Sequence, residues 1–60
     1  MSRFKELNRI DDAIKNANKA ELEWADSYCR MRLQIATLKD HQKFWRNLQR
    51  DVSKALAAVT

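Results

Sequence analysis

Glycine and proline are both missing from these 60 residues. Without glycine, the positive-φ positions of primed hairpin turns and phosphate-cradling loops have no ready occupant, and without proline there is no rigid linker. Strand formers are also sparse, so the composition points to an all-α chain. Cysteine occurs once, at Cys29. That excludes an internal disulfide and suits a reducing compartment. The single histidine, His41, excludes most structural zinc sites. Long apolar runs are lacking as well: the longest is Ala55 to Val59, against the roughly 20 residues of a membrane helix. Arg3, Lys5, Glu6, Arg9, Asp11 and Asp12 leave no apolar core for a signal peptide. The expectation is a cytoplasmic protein with no membrane span.

A chain this short forms a single domain, 1–60, and buries only about 60 % of the surface its unfolded form exposes. Disulfides, metals or oligomerisation are the usual supports. A monomeric three-helix bundle and an oligomer of helical hairpins both suit such a chain, and the oligomer is favoured because the helix lengths expected from the sequence are unequal and leave apolar surface over. Charge is the other bound. Twelve Lys and Arg stand against eight Asp and Glu, a net charge of +4. Residues 1–29 hold five bases and six acids, whereas residues 30–60 hold seven bases and only Asp40 and Asp51. An anionic partner is favoured, and the two halves could also neutralise one another.

Apolar residues recur every seven positions. One series reads Leu7, Ile14, Glu21, Tyr28, Ile35, Gln42, Gln49, Leu56, and the other Ile10, Ala17, Trp24, Met31, Leu38, Trp45, Val52, Val59. Glu21, Gln42 and Gln49 are its only polar members. This spacing is one helical stripe facing a partner. Asn18 followed by Glu21 fits an N-cap with its reciprocal partner, and Asn16 suits a left-handed helix terminator. The prediction is a helix over about 2–16, a joint at 17–18 and a long helix over about 19–58. Thr37 with Asp40 offers a second, poorer cap, and a kink near 38–42 would divide the long helix. Trp24, Tyr28 and Trp45 are too bulky for a regular two-stranded seam. A second flank of Leu22, Ala25, Cys29, Leu33 and Ala36, continued by Phe44, Leu48 and Ala55, widens the apolar face. The fold class is therefore all-α, with amphipathic helices in a helical hairpin or small bundle completed by homo-oligomerisation, a dimer being favoured. Leu7, Ile10, Ile14, Trp24, Tyr28, Met31, Ile35, Leu38, Trp45, Leu48, Val52 and Leu56 are expected in the core or the oligomer interface.

Catalytic constellations are hard to find. Cys29 and His41 stand twelve residues apart, roughly 18 Å along one helix, too far for a nucleophile and its base. Ser27, Asp40 and His41 do not have triad spacing, and Asp11–Asp12 and Glu21–Glu23 point in different directions on a helix. No catalytic residue, metal ligand or cofactor is expected, and the chain is read as non-enzymatic. The basic residues say more. Arg32, Lys39, Lys43, Arg46 and Arg50 fall at helical spacing, a candidate contact for an acidic protein or for nucleic acid. Beside them, Phe44 and Trp45 could stack on unpaired bases if exposed. A membrane-surface role ranks third, because the apolar face is committed to packing.

The stretch from Phe4-Lys-Glu-Leu7 through Trp24-Ala-Asp26 to Phe44-Trp-Arg-Asn-Leu48, in a very short chain without Gly or Pro, resembles the small accessory proteins of temperate, lambda-like phages. The resemblance is one of character and carries over no functional residue. It implies a regulatory protein that acts in the host cytoplasm by binding host or phage proteins. Two readings follow. The first is a helical protein–protein interaction module offering its bases to an acidic partner. The alternative is a nucleic-acid-binding protein using the same bases.

Overall fold

The computed structural model describes residues 2–60, with side chains from Lys5 onward, so the side chains of Arg3 and Phe4 lie outside the described set. Three helices follow one another: α1 (Ser2–Asn16), α2 (Lys19–Ile35) and α3 (Lys39–Val59). No strand occurs among the described residues. α2 and α3 form the principal packed pair, and α1 lies mainly on α2.

The α1–α2 joint is two residues long and uses Asn18 twice. The Asn18 N–H reaches the Ala13 carbonyl at 3.3 Å and the Ala17 N–H reaches that of Ile14 at 3.3 Å. This pair of bonds closes the last turn of α1 as a Schellman motif. The Asn18 side chain then accepts the Glu21 N–H at 3.2 Å and caps α2. Two details depart from the sequence reading. The left-handed residue is Ala17, at φ 52°, and Asn16 remains helical, because Asn18 must be the extended capping residue and the reversal falls just before it. Nor does the Glu21 carboxylate return to Asn18: it goes to Arg9 on α1.

The long helix expected over 19–58 is interrupted at residues 36–38, upstream of most of the predicted kink. Ala36 (φ −71°, ψ 126°) and Leu38 (φ −87°, ψ 138°) are both extended. Such a joint requires no positive φ, so it forms without glycine or proline. Leu38, not Thr37, occupies the cap position of α3, and it makes no side-chain capping bond. Gln42 instead serves the end of α2: its Nε2 donates to the Ala36 carbonyl at 3.0 Å, occupying one of the acceptors exposed there.

α1 and α3 bury members of the predicted series, whereas α2 turns a different stripe inward. The fully buried side chains are Ile10, Ala13, Leu22, Ala25, Cys29, Trp45 and Val52. On α2 the inward positions are therefore Leu22, Ala25 and Cys29, one residue out of step with the stripe of Trp24, Tyr28, Met31 and Ile35. Leu7, Ile14, Trp24, Tyr28, Leu48 and Leu56 pack against this core while partly exposed. Met31, Ile35 and Leu38 do not join it and stand 47 %, 59 % and 59 % exposed within the chain. The reason is size: small Ala25 and Cys29 turn inward and leave room for Trp45, so the larger α2 residues are rotated outward.

A polar lock joins the main pair. The Asp26 Oδ1 of α2 accepts from Gln49 Nε2 at 2.8 Å and from Ser53 Oγ at 3.4 Å, while its Oδ2 accepts from Arg30 Nε at 3.1 Å.

Two measurements test this packing. Ala17→Gly should relieve a left-handed alanine and stabilise the fold by about 0.5–1 kcal/mol, seen as a rise of several degrees in the thermal midpoint. Leu22→Asp, which places a charge in the core, should abolish the helical circular dichroism signal. Met31→Asp, at an exposed position, should retain it.

Candidate functional site

Three features of the surface bear on function: a cationic face, an apolar flank and the surroundings of the lone thiol. The cationic face is on α3. Lys39, Lys43, Arg46 and Arg50 are all exposed. At 100° per residue they fall within an arc of about 60° on the helix. Lys54 extends the same spacing by one more turn and is exposed as well, widening the arc to about 80°. The five-residue stripe read from the sequence ended at Arg50; the i+4 step to Lys54 was the available signal. Among the described residues, none of these five pairs with a carboxylate. Asp40 and Asp51 lie outside the arc.

Arg32 does not belong to that face. It sits near the end of α2, half-buried, its guanidinium carbon 5.4 Å from the centre of the Trp45 ring. Its Nε is buried without a hydrogen-bond partner. The break at 36–38 places it on the other flank of the α2–α3 pair from the α3 bases. Nor does the acidic half neutralise α3. Among the described residues the ion pairs are Arg9–Glu21 at 2.6 Å, Lys15–Asp11 at 3.0 Å and Arg30–Asp26 at 3.1 Å, all formed before residue 31. The hydrogen bond from Arg9 holds the Glu21 carboxyl below its ordinary range.

The Arg32 flank is aromatic and apolar. Arg9 lies over Trp24 at 3.8 Å, Trp24 stacks on Tyr28 at 5.2 Å, and Tyr28 meets Trp45 edge-on at 5.8 Å. Phe44 then meets Trp45 edge-on at 5.1 Å. Arg9 of α1 covers the Trp24 end of this row. At the other end Phe44 is 44 % exposed, and Met31 and Ile35 continue the outer stripe of α2 into solvent. Trp45 is buried and Phe44 stands on the flank away from the α3 bases, so neither forms a stacking platform beside them.

Cys29 is wholly buried. Burial, with a smaller contribution from Asp26, pushes its thiol up to about 11. It is therefore protonated at neutral pH, the opposite of an activated nucleophile. His41 is exposed at the start of α3. Among the described residues, no three His, Cys, Asp or Glu side chains gather where a metal could bind, and no helix is long and apolar enough to cross a membrane. A hollow of about 400 Å³ beside the α1–α2 joint is lined by groups of both signs, including Lys5, Arg9, Asp12 and Glu21.

Fold and surface together define a small three-helix protein with an exposed cationic face on α3 and an exposed apolar flank. No protein-family model, no curated protein and no solved structure matches the chain.

The thiol gives a direct check on the core. Cys29 should resist a thiol-reactive disulfide reagent in the native protein at pH 7.5 and react fully in denaturant. Rapid labelling of the native state would contradict the burial.

Proposed function

We propose that this chain is a non-enzymatic helical interaction module that works as a homodimer. The observation that carries the reading is the apolar flank at the α2–α3 end, where Met31, Ile35, Leu38 and Phe44 are exposed in a chain of only 60 residues. Apolar surface concentrated in this way marks a protein-binding face. A second copy suits it in charge as well as in hydrophobicity. Arg32 brings a cation whose Nε lacks a partner, and Asp40 lies one turn before Phe44 on α3. In a twofold arrangement each contact occurs twice, so Arg32 of each copy can face Asp40 of the other across a shared apolar centre.

Dimerisation leaves the α3 bases outward. They are the surface offered to an anionic partner, an acidic protein being the first reading from sequence. Under the resemblance to accessory proteins of lambda-like phages, the role is regulatory and is exercised in the host cytoplasm.

Light scattering on a sized column tests the assembly. At micromolar concentration the expected mass is about twice the 7.1 kDa of one chain. Ile35→Glu should return it to one chain mass with the helical signal unchanged. A single-chain mass for the unaltered protein at about 100 μM, where even a weak dimer of Kd near 10 μM is largely associated, would overturn the reading.

A further inference from the structure

We infer that the outward face of α3 is a binding site for the phosphate backbone of duplex nucleic acid, contacted by Lys39, Lys43, Arg46, Arg50 and Lys54. The site is distinct from the apolar flank and rests on different observations. Its five cations run from Lys39 to Lys54, about 22 Å along the helix. All five are exposed and none is paired with a carboxylate among the described residues. The surface is therefore a row of unpaired cations along one helix, with Asp40 and Asp51 about 40° and 60° beyond its edge.

The composition of the face selects the ligand. Protein-binding sites are built on apolar or aromatic anchors and are depleted in lysine at their centres. Within this arc there is no large apolar side chain, and three of its five bases are lysine. A membrane-surface helix would also need apolar residues directed at the bilayer on the same side as its bases. A polyanion with closely spaced charges needs neither, because its affinity comes from displacing condensed counterions. The aromatics decide between double and single strands. Single-strand binding relies on aromatic rings alongside a basic groove. Here Trp45 is buried, and Phe44 lies roughly 120° around α3 from the centre of the cationic arc. What remains is contact with phosphates, which positions a protein on a duplex without reading its bases.

The test is fluorescence anisotropy with a labelled 20-base-pair duplex, the single strand of the same length, and poly-L-glutamate as competitor, from about 20 to 200 mM salt. Duplex binding is expected, with a log–log salt slope near −4 per chain for about five phosphate contacts. Lys54→Gln should make the slope shallower by about one. The double variant Arg46→Glu and Arg50→Glu should abolish binding while circular dichroism stays unchanged. Phe44→Ala and Arg32→Gln should leave duplex affinity unchanged. Three results would each overturn the assignment: no duplex binding at 20 mM salt, tighter single-strand binding that depends on Phe44, or competition by poly-L-glutamate charge for charge with the duplex. The last would identify an acidic protein as the ligand. Ile35→Glu separates this site from the dimer, since a monomeric variant should still bind duplex.

Discussion

The placement of Trp45 governs the rest of the structure. It is the largest of the fully buried side chains, and the site for it lies on α2 between Tyr28, at 5.8 Å, and Arg32, at 5.4 Å. These two residues bracket Cys29. A tryptophan fits against a helix only where that helix is narrow, and Ala25 and Cys29 make α2 narrow there. Interiors are packed near crystal density, so an indole cannot share the space with a second large side chain. The bulky stripe of α2 is displaced outward as a consequence. The exposed flank of Met31 and Ile35 and the buried thiol thus have one steric cause.

The three polar residues in the apolar repeat show how such a small core is kept in register. Each bonds outside its own helix: Glu21 to Arg9, Gln42 to the Ala36 carbonyl, and Gln49 to Asp26. Packing of aliphatic side chains is tolerant of small shifts, since a helix can slide or rotate with modest loss of buried area. Hydrogen bonds lose most of their strength within about half an ångström and a few tens of degrees. Polar residues at otherwise apolar positions are known to select register at some cost in stability, and the lock at Asp26 has that character for the α2–α3 pair.

Much of this architecture was legible in the sequence, and the failures have definite origins. The α1–α2 joint could be read because an asparagine cap and a two-residue connector leave a chemical signature at Asn18 and Glu21. The second joint left only the poorer signal of Thr37 with Asp40, one residue from the actual cap at Leu38, because extended backbone at Ala36 and Leu38 can be adopted by any residue. Treating the long helix as continuous up to a kink at 38–42 then misled two further readings. A seven-residue repeat that persists across a joint looks like a continuous face, so Arg32 was grouped with bases from which the joint separates it. On α2, two apolar stripes lie one residue apart, and periodicity alone does not say which turns inward. The larger residues looked like the core by hydrophobicity, but fit to Trp45 favoured the smaller ones. Lys54 was legible and simply continued a spacing that had been ended one turn early.

The distribution of ion pairs explains why α3 carries uncompensated positive charge. A positive chain can spread its excess evenly or gather it. Here the acids that form ion pairs are Asp11, Glu21 and Asp26, and they pair with Lys15, Arg9 and Arg30 within the first 30 residues. Two of these pairs are i,i+4 contacts within a helix, and the third ties α1 to α2. Local pairing of this kind wins over pairing with α3 because it orders little additional chain. Residues 1–30 are thereby neutral overall, and α3, with five bases and two acids, holds three of the four net positive charges. At a Debye length of about 8 Å in physiological salt, charges one or two helical turns apart still add, so the five bases act on an approaching polyanion as a single field. The exposed apolar flank lies on another side of the same hairpin, where that field does not oppose association. The two proposed contacts, one driven by apolar burial and one by charge, therefore draw on different residues of a 60-residue chain.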